Sequence, residues 1–371
     1  MAGSIQKVGK KWRVTLELGV DNAGKRLRKY VSVSTESEAK KILNEFEYNR
    51  QRNLLVHSEE MTLADLLHHF MENYVRYNCE ETTAYGYRNI IYNHIIPFMG
   101  NIELQKLQPI HIQNYYRHLM EEKGLSPNTV HKHHANLRKA LDYALKLQFV
   151  YRNAADAVSM PRKVRFEGKA YSKEQLKELL EKVKDTKLEL PVYLAGYLGL
   201  RREEITGLKW ENVDLDQRIL HIREVRTSAG EKVITKAPKT EKSKRSLYIV
   251  DELYKILIKH RKLQEQHKEL LGDSYQYTGY VFVREDGRPY RVNSVTEWFK
   301  DFLEKNNLPK CRLHDLRHSF VSVLYASGVD LKAISEAVGH SDIGTTSRIY
   351  THLLDKTHKN TVSAMSDALR D

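Results

Sequence analysis

The spacing of apolar and polar residues changes period along this chain. Near the start, Trp12, Val14, Leu16 and Leu18 alternate with Arg13, Thr15 and Glu17, the two-residue period of a strand. Asp21-Asn22-Ala23-Gly24 is a turn cluster. A second run then places Leu27, Val31 and Val33 on one face, and Arg26, Arg28 and Tyr30 on the other. Thr35 and Glu38 have the spacing of a capping box and open a helix to about Arg50. Residues 5–52 are thus predicted to form a small sheet backed by a helix. The face turned from the helix displays Arg13, Arg26, Arg28 and Tyr30, a basic ribbon of a width that can enter a DNA major groove.

From residue 61 the period is helical. Thr62 and Asp65 form a cap, and Leu63, Leu66, Leu67, Phe70 and Tyr74 follow at helical spacing. Ser126-Pro127-Asn128-Thr129 starts another helix, with Pro127 in the first turn, where a missing N–H costs nothing. Its predicted buried stripe is Val130, Leu137, Leu141 and Ala144, while Lys132, Arg138, Lys139 and Lys146 lie largely off that stripe. Residues 158–170, with Pro161-Arg162-Lys163-Val164-Arg165, read as a basic linker able to track a DNA backbone. Helical segments begin again near Tyr171. Strands are expected at about 219–226, 231–236 and 246–250, with turns at 228–230 and 240–244, and more helices from about Val292 onward.

Composition narrows the partner. The chain has 371 residues, enough for two or three domains, and 41% of them are hydrophobic, enough for real cores. Mean hydropathy is −0.59 and no apolar run reaches 18 residues, so no membrane-spanning helix is expected. Met1-Ala2-Gly3-Ser4 does not begin a secretory signal, and two cysteines, Cys79 and Cys311, rule out a disulfide scaffold; a reducing cytoplasm fits. The net charge is +13 with pI near 9.4, which points to a polyanionic partner. That charge is unevenly placed: net +6 over residues 1–55, +1 over 61–160 and +8 over 161–371. The middle region instead holds 8 of the 17 histidines, including His131, His133 and His134, which are expected to be solvated on an exposed helix rather than bound to metal.

Four short stretches in the last region combine chemistry. They are Gly199-Leu200-Arg201-Arg202-Glu203-Glu204; the Lys-rich Pro238-Lys239-Thr240-Glu241-Lys242-Ser243-Lys244-Arg245, expected at a hairpin tip; His314-Asp315-Leu316-Arg317; and Gly339-His340, followed ten residues later by Tyr350. Arg201 and Glu204, and likewise His314 and Arg317, are three apart and share a helical face. Taken one at a time, each pair is also an ordinary structural ion pair.

Their joint order resembles the tyrosine recombinase (phage integrase) family. The matching residues are Gly199-Leu200-Arg201-x-x-Glu204, Pro238-Lys239-Thr240, His314-x-x-Arg317, Gly339-His340 and Tyr350. The resemblance implies an α+β multidomain chain. Residues 1–55 look like the three-stranded arm-type DNA-binding domain of integrases from temperate phages and conjugative transposons. Residues 61–157 look like the helical core-site DNA-binding domain, residues 158–170 like a linker, and residues 171–371 like a mostly helical catalytic domain with a small antiparallel sheet and a C-terminal tail.

The implied chemistry is attack by the Tyr350 hydroxyl on a DNA phosphodiester. Arg201 and Arg317 match the pair that neutralises the pentacoordinate phosphate, a task suited to always-charged planar forks. Lys239 matches the general acid for the leaving 5′-oxygen, His314 a residue assisting the nucleophile's proton, His340 a phosphate donor and Glu204 a supporting acid. No cofactor or divalent ion is implied, and the 3′-phosphotyrosyl link conserves the bond energy. Further contacts with DNA are expected from Lys132, Arg138, Lys139, Arg162, Lys163, Lys242, Lys244 and Arg245. The implied partners are double-stranded DNA at core and arm sites, three further copies of the chain in a synaptic tetramer, and a host DNA-bending or excision factor. Two other readings share these residues. A type IB topoisomerase uses the same covalent step but does not need the basic sheet, and a catalytically silent DNA-binding regulator does not need the motif set.

Overall fold

The computed structural model describes residues 3–20, 26–51, 61–164, 170–238, 240 and 243–339. The chain divides into two units, Met1–Arg165 and Phe166–Asp371.

In the first unit, β1 (Gly3–Val8), β2 (Lys11–Val20) and β3 (Arg26–Val33) form an antiparallel sheet in the order β1-β2-β3, followed by α1 (Glu36–Gln51). The strand β1 is too short and mixed to announce itself by alternation. It is held by pairing with β2, Ile5 opposite Val14. Val14, Leu16, Ala39 and Phe46 form the small core between sheet and helix. The expected cap is present, the Glu38 N–H donating to Thr35 Oγ1 at 3.3 Å.

The helical part of this unit has its own core. α2 (Leu63–Phe70) runs through a π turn (Met71–Val75) into α3 (Arg76–Asn78), and α4 (Glu81–Ile90) through a second π turn (Ile91–Ile95) into α5 (Ile96–Met99). α6 (Pro109–Glu121) and α7 (Pro127–Lys146) complete it. Thr62 and Asp65 make a reciprocal capping box, and Ser126 caps α7 through the Thr129 N–H. The stripe Val130, Leu137, Leu141 and Ala144 is buried as its spacing predicts.

The histidine run departs from expectation. His133 is 2% exposed and bonds Tyr115 Oη at 2.7 Å; His134 bonds Tyr116 Oη at 2.8 Å, and His131 the Pro161 carbonyl at 2.9 Å. These rings are internal polar joints rather than a solvated face. His133 and His134 sit beside the apolar stripe and face α6, while His131 faces the segment that follows α7.

The second unit begins with α8 (Lys173–Lys182), α9 (Glu189–Leu198) and α10 (Arg202–Gly207). α9 is apolar on all sides and buried along nearly its whole length. A sheet of order β4-β5-β8 follows, from β4 (Val213–Asp214), β5 (Ile219–Ile222) and β8 (Arg245–Tyr248). Between β5 and β8, β6 (Val225–Ala229) and β7 (Lys232–Lys236) form a separate two-stranded hairpin. The expected strand at 219–226 is therefore two strands in different sheets. The Lys-rich stretch connects β7 to β8 across sheets; the tip of the β6–β7 hairpin is at Gly230 instead. α11 (Asp251–Leu271), α12 (Ser294–Lys305), α13 (Asp315–Ala326) and α14 (Leu331–Val338) complete the described elements. The 21-residue α11 was not anticipated, because only Leu253, Ile256 and Leu257 of it are buried and its remainder carries no apolar stripe. No helix among the described residues is long and apolar enough to cross a membrane.

Candidate active site

The site in the second unit starts from two helix ends. α9 stops at Gly199 (φ 60°) and α14 at Gly339 (φ 64°), both left-handed. A Cβ at Gly199 would lie 2.8 Å from Phe320 Cδ1 on α13 and 3.2 Å from Val338 Cγ1 on α14, so glycine is what lets the three helices meet.

The last carbonyls of a helix have no partner within it and carry its partial negative charge. At the end of α14, three consecutive carbonyls each accept from a different arginine. Ala337 O takes Arg245 Nε at 2.7 Å, Val338 O takes Arg317 Nη2, and Gly339 O takes Arg201 Nη2 at 3.3 Å. Arg317 also donates from Nη1 to Gly199 O, the end of α9, at 2.8 Å, and its side chain is 1% exposed.

Arg201 is the residue before α10, and Glu204 lies in the first turn of that helix. The Glu204 carboxylate returns to the Arg201 N–H at 2.8 Å, as in a capping box; because arginine has no acceptor, the side-chain contact is Arg201 Nη1 to Glu204 Oε1, 2.7 Å. Arg245 grips the same carboxylate with both Nη atoms, each at 3.0 Å. Glu204 is 2% exposed. Burial alone would raise its pKa, but the hydrogen bonds and charge of Arg245, with those of Arg201, hold it below the usual carboxylate range.

His314 precedes α13, one turn from Arg317. Burial against the protein, then the charges of His318, Arg317 and Arg201, push its pKa down to about 4. His314 is at the same time exposed to solvent. A neutral imidazole beside two guanidiniums can accept a proton. Asp315 is buried at the start of α13 and takes the Arg312 N–H and Nη2, both at 2.8 Å, which fixes the turn that presents His314. Arg202 and Glu203 pair with each other at 2.8 Å, and Arg202 reaches Asn293 at 3.0 Å, away from the Glu204 carboxylate.

The sequence motifs therefore converge for Arg201, Glu204, His314 and Arg317. Lys239, Lys242, His340 and Tyr350 lie outside the described residues. Arg245 is a correction: expected on DNA, its side chain is 7% exposed and forked on Glu204. A signal for this existed, since Arg245 shares strand parity with the buried Leu247 and Ile249.

Of the remaining cations expected on DNA, Arg13, Arg26 and Arg28 stand exposed with Tyr30 on the first sheet. Arg28 pairs with Glu17 at 3.2 Å and Arg13 lies 6.0 Å over the Tyr30 ring. Lys132, Arg138, Lys139, Arg162, Lys163 and Lys244 are also exposed. Arg138 is committed to Asp156 at 2.7 Å, and Lys139 lies 5.3 Å over Tyr74. Among the described residues, no group of three or more His, Cys, Asp or Glu could hold a metal ion.

Comparison with known proteins gives the following. Residues 169–357 match the phage integrase family, and residues 62–120 match the N-terminal SAM-like domain of phage integrases. A tyrosine recombinase XerC-like protein of Caldanaerobacter subterraneus subsp. tengcongensis is 30% identical, covering 97% of each chain. The ICEBs1 integrase of Bacillus subtilis is 28% identical over 96% of this chain and 97% of its own. Among solved structures, the Tn1549 transposon integrase in complex with circular intermediate DNA superposes with a TM-score of 0.64 at 21% identity, over 78% of this chain and 95% of that one. A lambda integrase dimer bound to a core site gives 0.58 at 15% identity, over 94% of each chain. These two similarities concern the fold.

Proposed function

Because the chain belongs to the phage integrase family of tyrosine recombinases, enzymes that cleave and rejoin DNA, we propose that it integrates and excises a mobile element by site-specific recombination. The Tyr350 oxygen attacks the scissile phosphorus and forms the 3′-phosphotyrosyl bond as the bond to the 5′-oxygen breaks. Lys239 supplies the proton that the 5′-oxygen takes up, and His314 accepts the one that Tyr350 gives up. Arg201 and Arg317, with His340, hold the charge that develops on the nonbridging oxygens. Each such prearranged donor contributes roughly 3–4 kcal/mol to a transition state. Attack by the freed 5′-hydroxyl of the partner duplex reverses the step, and two rounds within a tetramer pass through a Holliday junction.

In this reading residues 171–371 catalyse, residues 61–157 bind the core site, residues 158–170 link the two, and the sheet of residues 1–55 binds arm sites through Arg13, Arg26, Arg28 and Tyr30. The observation that carries it is the joint seating of Arg201 and Arg317 on neighbouring carbonyls at the end of α14, with His314 one turn from Arg317 at the start of α13. A nicked suicide duplex, selected from a randomised pool for covalent capture by the full chain, tests it. Wild type is expected to accumulate a covalent adduct and Tyr350→Phe none. Equal adduct from both, or none from wild type against any selected duplex, overturns the reading.

A further inference from the structure

Arg245 has no part in the chemistry just described, yet all three of its guanidinium nitrogens are hydrogen-bonded within the cluster. Its Nη atoms take both oxygens of Glu204 at 3.0 Å, and its Nε takes Ala337 O at 2.7 Å. Its remaining reach goes to Ser243 O, 3.3 Å from Nη1. We propose that Arg245 is a positioning residue for DNA cleavage, acting through Glu204 to aim Arg201 at the scissile phosphate and to keep that end of the site cationic. The proposal rests on the reading of Arg201 as a phosphate ligand.

Two arguments carry it. The first is geometric. A carboxylate has about four lone-pair sites. Those of Glu204 are filled by Arg201 Nη1, the Arg201 N–H and the two Arg245 Nη atoms. With both Arg245 bonds in place the carboxylate plane cannot turn, so neither can the guanidinium of Arg201. Arg245 also spans from β8 to the carbonyl row of α14, one residue from the carbonyl that holds Arg317 and two from the one that holds Arg201. It thereby ties the Glu204 side of the site to the turn that seats both phosphate-binding arginines.

The second argument is electrostatic. Arg201 and Glu204 alone are a neutral pair, and a neutral pair attracts a phosphate weakly. With Arg245 the trio carries one net positive charge in a buried setting, where charge is poorly screened. A guanidinium suits this post because it stays protonated, takes a carboxylate in a fork and keeps a third donor direction for the carbonyl. Lysine supplies the charge but neither the fork nor the third bond.

The test uses the full chain and the selected suicide duplex, measuring equilibrium binding and single-turnover cleavage separately. Arg245→Lys is expected to bind within about twofold of wild type and to cleave about 10- to 100-fold more slowly, the cost of misplacing a transition-state donor. In combination with Glu204→Gln the losses are expected to overlap, the double variant cleaving no more slowly than the worse single one. Wild-type cleavage by Arg245→Lys overturns the proposal. So does a loss confined to binding, which would make Arg245 a DNA contact, and so do losses that multiply. If Arg245→Ala fails to fold, Arg245→Lys carries the measurement. A wild type that captures no duplex condemns the functional reading itself, whereas a cleaving wild type with an indifferent Arg245 condemns only this inference.

Discussion

The helical core of residues 61–160 and the arginine cluster of the second unit both bury polar side chains, but they satisfy them differently. In the first, neutral imidazoles bond neutral phenols: His133 with Tyr115 and His134 with Tyr116. Such pairs close on themselves and have no charge to offer outward; Tyr116 and His134 alike are shifted by burial toward their neutral forms. In the second, three guanidiniums rest on backbone carbonyls, and two of them, Arg201 and Arg245, share one carboxylate. Main-chain carbonyls orient a cation without neutralising it, so the cluster keeps a net positive charge. One arrangement is electrically closed; the other leaves uncompensated positive charge at the ends of two helices.

The sharpest way to break this contrast is to remove the fork and keep the charge. Arg317→Lys loses the paired bonds to Gly199 O and Val338 O, and cleavage of the suicide duplex is expected to fall about 100- to 1,000-fold. Cleavage near the wild-type rate would mean that charge alone suffices and that carbonyl seating is incidental.

Acid should separate the two regions next. Burial, then His94, lowers the pKa of His133 to about 4 from an ordinary value near 6.5, so the unfolded chain binds the proton more readily than the folded one. Its contribution is therefore present above about pH 6.5 and is lost as pH falls toward 4, by roughly 3 kcal/mol at most. His94 and His134 are shifted the same way. Hydrogen exchange, corrected for intrinsic rates, is expected to show α7 losing protection over that window. α10 is expected to hold more firmly, since the guanidiniums of Arg201 and Arg245 stay charged, Glu204 lies below the usual carboxylate range, and His314 beside Arg201 is exposed and can take a proton without being buried with it. Equal loss in both helices would dissolve the distinction.

The smallest expected effect is at the surface. Arg138 and Asp156 are each about half exposed, 52% and 51%, so Arg138→Ala is expected to change the unfolding free energy measured by urea titration by no more than about 0.5 kcal/mol. A larger shift would show that a surface pair in this region behaves like a buried one.

How far each region is legible in the sequence follows from the same difference. The stripe and caps of α2 and α7 are written in residue types at fixed spacing, and they fold as read. Arg201, Glu204, His314 and Arg317 are legible as motifs because they are chemically distinctive residue types in a fixed order at fixed spacing. The histidines misled because closely spaced polar letters suggest solvent, and only the facing tyrosines of α6 show otherwise. β1 and α11 escaped because their definition comes from pairing and packing on one short stretch rather than from a sustained period. Arg245 escaped for a simpler reason: the basic letters around it outweighed its strand parity with Leu247 and Ile249. The carbonyl row could not be read at all, since every residue has a carbonyl and no letter marks the ones a helix leaves unpaired.

That last fact has a consequence for how such a site can change over generations. A grip built on side chains is lost when either partner is replaced. Here the receiving atoms at 337, 338 and 339 belong to the main chain, so substitution at those positions alters their packing but cannot delete the acceptors. What must persist is the way two helices end, at Gly199 and Gly339, where the backbone takes a hand that other residues resist. The letters around the site can drift widely while the seats of its arginines stay where they are.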